Sequence, residues 1–170
     1  LGVFGSLHES RLLSHIRRAA RAVRDHTDLL LLYVGPDGEA FQDAMPTLPV
    51  LDAGCLPARE VSRHFHAMDM YLAPFIDGAS TRRGSFLVGL QHGVPTISTH
   101  GPLTDSMLRD RDREAFLLTP VDDPTAFQRA AATLCRDRTR RRTIAASAQR
   151  FFSEHFRWGV LADRLLERLH

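Results

Sequence analysis

Residues 70–98, MYLAPFIDGASTRRGSFLVGLQHGVPTIS, constrain the architecture more than any other stretch of the chain. YLAPF is a short apolar run and reads as a buried strand. IDGAS is turn chemistry, because Asp, Gly and Ser tolerate the backbone angles of a sharp loop. Ser80 or Thr81 is placed to cap a helix from about Thr81 to His92, a side-chain oxygen accepting a free backbone N–H. Gly93 stands where a helix ends in the left-handed conformation, and Pro95 just beyond prevents its continuation. VPTIS resumes as a strand.

The same alternation runs along the rest of the chain. LGVFG opens as a strand, SLHES turns, and Ser10 is placed to cap a helix from Arg11 to about Asp25. Leu12, Leu13, Ile16, Ala19, Ala20 and Val23 form that helix's apolar stripe, with arginines on its other side. DLLLLYVG is a second strand whose unbroken apolar run predicts burial on both faces. PDGEAFQDAMPT reads as a loop with at most one helical turn, and LPVLDAG as a third strand. Pro57 starts a helix through Ala67. After the fourth and fifth strands come a loop, a short helix at Ser106–Arg109, the strand EAFLLTP, a helix from Pro124 to about Cys135 and another from about Thr139 to His155.

Strands alternating with helices predict an α/β fold, a parallel sheet of about six strands covered on both faces. Residues 1–170 are enough for one domain with a single large core. With strand order 3-2-1-4-5-6, the loops after the first and fourth strands, GSLHES and IDGASTRRG, face one another at the topological switch point. A flavodoxin-like order would instead pair the first and third loops.

Composition excludes several classes of function. A formal charge of +2, with 44% hydrophobic and 25% charged residues, is ordinary for a globular domain. All 22 basic residues are arginine. The run RDRTRRR lacks interleaved aromatics and reads as the solvated start of a helix rather than a nucleic-acid site. No apolar run is long enough to span a membrane, and no signal peptide is visible. Cys55 and Cys135 have no metal-ligand spacing and read as buried thiols of a cytoplasmic protein. His64 and His66, two apart on a helix, point to different faces and make a poor metal pair, so no metal is expected. The chain starts inside a strand, which suggests a domain of a longer protein.

Chemistry concentrates where the 81–92 helix begins, its first turn carrying Arg82, Arg83, Gly84 and Ser85. Unpaired N–H groups and the positive end of the helix dipole favour an anion there, and Gly84 removes a side chain where a ligand would approach. These features suit a phosphate-bearing ligand; the other reading is a pair of solvated arginines. The opposite wall of the crevice adds Arg11 and His8, although a histidine in a surface loop needs no ligand to explain it.

LGVFGSLHESR, LPAREVSRHFHAMDMYLAPF, QHGVPTIST, LLTPVDDPTAF and FRW, taken in order over nearly all of the chain, resemble the C-terminal, donor-binding domain of a family 4-type glycosyltransferase with the GT-B fold. The resemblance implies a Rossmann-like sheet forming one half of a GT-B architecture. It also implies transfer of a sugar from a nucleoside-diphosphate donor (a UDP or GDP sugar), generally with retention, and no cofactor. The family's lysine after the glycine loop falls on Arg11, which keeps the charge, whereas its arginine falls on Ser6, which does not. Its two helix glutamates, the first on the donor sugar and the second on the ribose, fall on Ser80 and Val88. Asp77 is a nearby carboxylate, and TRRG resembles a subset carrying paired arginines.

The chemistry of the helix start, joined to the resemblance at Arg11, assigns Arg11, Arg82, Arg83, Gly84 and Ser85 to the donor diphosphate. Gly5, Ser6, His8, Asp77, Gly78 and Ser80 fall in the vicinity of the donor sugar or nucleoside, with no catalytic residue identified. The acceptor is unspecified and would be held by a missing N-terminal domain, so the isolated chain is expected to be inactive. Residues 156–170 form a C-terminal helix expected to pack toward that domain, leaving the stripe Trp158, Val160, Leu161, Leu165, Leu166 and Leu169 partly exposed. The full-length protein is expected in the cytoplasm, peripheral to a membrane. A non-catalytic nucleotide- or partner-binding module is the alternative, favoured by the lost glutamates. A flavodoxin-like regulator lacks its acidic cluster after the first strand.

Overall fold

The computed structural model describes residues 1–167. Its elements are β1 (Gly2–Phe4), α1 (Leu13–Arg24), β2 (Leu31–Val34), α2 (Gly38–Ala44), β3 (Val50–Asp52), α3 (Ala58–His66) and β4 (Tyr71–Ala73). There follow α4 (Gly84–Gln91), β5 (Thr96–His100), α5 (Ser106–Arg109), β6 (Leu117–Pro120), α6 (Pro124–Arg136), α7 (Arg138–His155) and α8 (Trp158–Glu167). All six strands join one parallel sheet in the order β3-β2-β1-β4-β5-β6. The order reverses between β1 and β4, which settles the topology against the flavodoxin-like alternative.

β2 shows why an uninterrupted apolar run fits the middle of such a sheet. All four of its residues are buried. Leu31 and Tyr33 enter the core shared with Ile16 and Ala19 of α1 and Phe127 of α6. Leu32 and Val34 enter the opposite core with Phe65 of α3 and Phe86 of α4. Successive side chains alternate faces, so both faces demand hydrocarbon. Burying each large side chain contributes about 1.5–3 kcal/mol before chain entropy is subtracted.

The helix ends match expectation better than the helix starts. His92 closes α4 and Gly93 follows at φ 61°, the left-handed conformation foreseen for it. However, α4 begins at Gly84, three residues later than Thr81, with Arg83 at the N-cap position and no side-chain cap. The Ser80 hydroxyl instead accepts from Arg82 N at 3.2 Å, and the Asp105 carboxylate accepts from Thr81 N at 2.6 Å. These bonds hold residues 80–83 in a turn that delays the helix. Ser10 likewise does not cap α1, which starts at Leu13 behind Leu12. The segment expected to be mostly loop contains the seven-residue helix α2.

The basic run opens α7. Asp137 caps it by accepting from Arg140 N at 2.8 Å, and Arg141 turns back to donate to the carbonyls of Leu134 and Cys135 at the end of α6. Cys55 is exposed and Cys135 half-buried, so the expectation of two buried thiols fails: Cys55 lies in the turn after β3, outside both cores. Helix α8 rests on α7 and buries none of its residues. Trp158 is 87% exposed, and Leu161, Leu165 and Leu166 are also exposed. Leu169, the last residue of that predicted stripe, lies outside the described residues. Among the described residues, no helix is long and apolar enough to cross a membrane.

Candidate functional site

The crevice forms where β1 and β4 end side by side. Gly5 leaves β1 at φ 96°. A Cβ built on it would lie 3.6 Å from Arg11 Nη2 and 3.7 Å from Ser85 Cβ, so the loop after β1 touches the start of α4. A larger residue at Gly5 would be strained by its backbone angle rather than by lack of room.

Phe75, just beyond β4, is the floor on which the charges meet. The Arg11 guanidinium carbon lies 4.6 Å from the Phe75 ring centroid and that of Arg83 lies 4.3 Å away. Arg11 is only 7% exposed. Its Nη2 donates to the Phe4 carbonyl at 2.8 Å, while its Nη1 is buried with no hydrogen-bond partner among the described residues. A buried donor of that kind is costly unless a ligand or water answers it. Arg83 donates from Nη1 to the Ser10 hydroxyl at 3.4 Å and faces Asp77 Oδ2 from Nη2 at 3.5 Å. Burial draws the Arg83 guanidinium below the ordinary arginine value, Asp77 opposes that shift and Arg11 adds to it. Arg83 faces one half-exposed carboxylate and, among the described residues, Arg11 pairs with none, so the two cations of the crevice outnumber the carboxylate that answers them.

The start of α4 completes the arrangement. Arg83 N is bonded to Ser80 O, and Phe86 N and Leu87 N return to Arg83 O. Among the described residues, the N–H groups of Gly84 and Ser85 have no such partner. A Cβ on Gly84 would meet nothing within 4 Å, so the approach to these groups is open. Free N–H groups at a helix start beside two arginines suit a multiply charged anion.

The remaining residues named from sequence divide. His8 and Ser6 are exposed, and His8 Nδ1 reaches the Ser10 hydroxyl at 3.3 Å, one residue removed from Arg83. Arg82 is exposed and, among the described residues, its side chain forms no hydrogen bond or ion pair; it precedes α4 rather than lying in its first turn. Gly78 at φ 87° packs on the 101–104 loop. Ser80 is 3% exposed and faces the protein interior. Sequence reasoning missed Phe75 and Ser10 as parts of the site; an aromatic immediately after a strand at the switch point was the available signal. A cavity of about 830 Å³ lies elsewhere, beside Leu30, Leu51, His64, Met68 and Asp69 near the N-terminal ends of the strands.

No curated protein sequence matches the chain significantly. Among solved structures, the C-terminal domain of a glycosyl transferase group 1 family protein (LpcC) from Francisella tularensis is similar at TM-score 0.73 and 14% identity. That match covers 92% of this chain and 85% of that one. Sucrose-phosphate synthase from Thermosynechococcus elongatus aligns over 99% of this chain and 45% of its own, at TM-score 0.75 and 18% identity. Anabaena HepE, solved in complex with UDP and glucose, aligns over 99% of this chain and 47% of its own, at TM-score 0.70 and 17% identity. The chain therefore spans a little under half the length of these last two neighbours. The family model for glycosyl transferases group 1 matches residues 1–137. The chain belongs to that family, and its six-stranded parallel sheet is that of a GT-B C-terminal domain.

Proposed function

We propose that this chain is the donor-binding half of a glycosyltransferase that moves a sugar, a hexose or a close relative, from a nucleoside diphosphate to an acceptor. Transfer proceeds with retention and without a metal. The observation that carries this reading is the meeting of Arg11 and Arg83 on one face-forming aromatic, Phe75, beside two unpartnered N–H groups at the start of α4. As the glycosidic bond breaks, the departing diphosphate gains negative charge. Fixed cations and helix N–H groups that are already in place stabilise that charge without reorganising.

In this reading Arg11, Arg83, Gly84 and Ser85 hold the diphosphate and Arg82 supplies long-range attraction from its exposed position. Gly5, Ser6, His8, Asp77 and Gly78 border the sugar and nucleoside. The acceptor sits on an N-terminal domain, and α8, with its exposed Trp158 and Leu165, packs against that domain. The isolated chain then binds donor without turning it over, and the whole enzyme works in the cytoplasm at a membrane surface. The greater length of the neighbours supports a second domain.

A second reading, a non-catalytic nucleotide- or partner-binding module, is favoured by Ser80: it lacks a carboxylate and is buried against Arg82 N. A thermal-shift panel of UDP, GDP and their sugars tests nucleotide binding. Stabilisation by none of them would remove the donor reading. Turnover of the same donors by the full-length protein separates transferase from module.

A further inference from the structure

We propose that Asp77 selects the sugar-bearing donor over the spent nucleoside diphosphate, exchanging its contact with Arg83 for hydroxyls of the bound sugar. This rests on the donor-binding reading above and extends it to a discrimination within the same site.

Three aspartates flank the loops of the crevice, and two are committed to the main chain. Asp37 Oδ2 accepts from Leu7 N at 2.8 Å, and Asp105 Oδ2 accepts from Thr81 N at 2.6 Å. Asp77 has a different position. Among the described residues its carboxylate has one partner, Arg83 Nη2, at the long distance of 3.5 Å, and its side chain is 46% exposed. Its backbone, by contrast, is pinned. The Asp77 carbonyl accepts from Leu103 N at 3.0 Å, Gly78 N donates to Phe75 O at 3.1 Å, and Gly78 holds a left-handed φ against Thr104. The carboxylate therefore stays at the crevice when Arg83 finds another partner.

A half-exposed pair at that separation is weak, so a diphosphate displaces it readily. Arg83 then answers phosphate oxygens, and Asp77 becomes an uncompensated anion beside other anions. A carboxylate only accepts hydrogen bonds, and the hydroxyls of a sugar on the terminal phosphate are donors. A sugar nucleotide thus satisfies Asp77, while a free nucleoside diphosphate does not. The free diphosphate also carries more negative charge, because its terminal phosphate is no longer esterified. Both effects act in the same direction and favour release of product.

Calorimetric titration of the chain with UDP, UDP-glucose, GDP and GDP-mannose tests this in the wild type, Asp77→Asn, Asp77→Ala and Arg83→Ala. For the nucleotide that binds, both Asp77 variants should take the free diphosphate about three- to five-fold more tightly, the scale of a half-exposed charge interaction. They should take the sugar nucleotide more weakly, so the preference between the two contracts. Equal shifts for both ligands, or none, while Arg83→Ala still weakens the diphosphate, overturn the role of Asp77 and leave the donor site standing. Loss of neither ligand in Arg83→Ala removes the site and this role together.

Discussion

Tyr71 on β4 donates its hydroxyl to the Ser85 carbonyl at 2.6 Å, tying the sheet to the first turn of α4. Tyr71 is fully buried, and that burial raises its pKa against the opposing charge of Arg11. Gly89 rests on the same ring: a Cβ there would lie 2.6 Å from Tyr71 Cδ1 and 2.6 Å from Thr96 Oγ1. Gly89→Ala gains up to about 1 kcal/mol of helix propensity, but must displace the ring that holds Ser85. A net loss of about 1–3 kcal/mol is expected from overpacking, read as a lower urea midpoint, together with weaker nucleotide binding. A raised midpoint would mean that the ring yields freely.

Gly84→Ala is the contrasting experiment. Its Cβ would enter open space, and no positive φ is required there. Stability should hold or rise by about 0.5–1 kcal/mol. Nucleotide binding should nevertheless weaken, because the methyl group stands over the free N–H groups of Gly84 and Ser85. Unchanged affinity in a stable variant would show that no ligand approaches this turn.

Arg83→Ala should weaken nucleoside-diphosphate binding by about 1–3 kcal/mol by calorimetry, the loss of charge-assisted hydrogen bonds. Arg11→Ala should lose affinity and also fold stability, since the Phe4 carbonyl loses its donor. Arg82→Ala should do less than either, because Arg82 is exposed and does not join the Phe75 cluster. Equal losses at Arg82 and Arg83 would contradict the geometry.

His15 predicts a stability change with acid. It lies 4% exposed on α1, edge-on to Phe127 of α6 at 5.5 Å. Burial lowers its pKa, the Val121 main chain and Asp123 oppose the shift, and Arg18 reinforces it. The unfolded chain therefore takes up a proton first as pH falls below about 6.5. Stability contributed by neutral His15 is present above that value and is lost on further acidification through the lower folded value. Thermal midpoints of the wild type should drop more steeply than those of His15→Gln between about pH 7.5 and 5.5. Parallel curves would exclude His15 as the cause.

The alternation of strands with helices and the ends of the helices were legible because they depend on local chemistry, whereas the choice between two strand orders was decided only by the structure. The run in β2 can be buried only on both faces, and Gly93 followed by Pro95 can only stop a helix. The start of α4 was not legible because its determinant is remote. Asp105, 24 residues away, takes Thr81 N, while Ser80 spends its hydroxyl on Arg82 N. A side chain that would cap in isolation is thereby used to build a turn. Phe75 was read only as the end of a strand, yet both cations rest on it. Arg11 and Arg83 were foreseen as charges, but their depths differ: one is buried beneath the crevice and the other lies at its rim.

The unanswered Nη1 of Arg11 has a thermodynamic corollary. A buried donor lacking an acceptor among the described residues is costly, and any anion or water that reaches it offsets that cost beside β1 and β4. Ligand occupancy should therefore slow amide hydrogen exchange in the middle of the sheet more than at its margins β3 and β6, even though the ligand touches only loops.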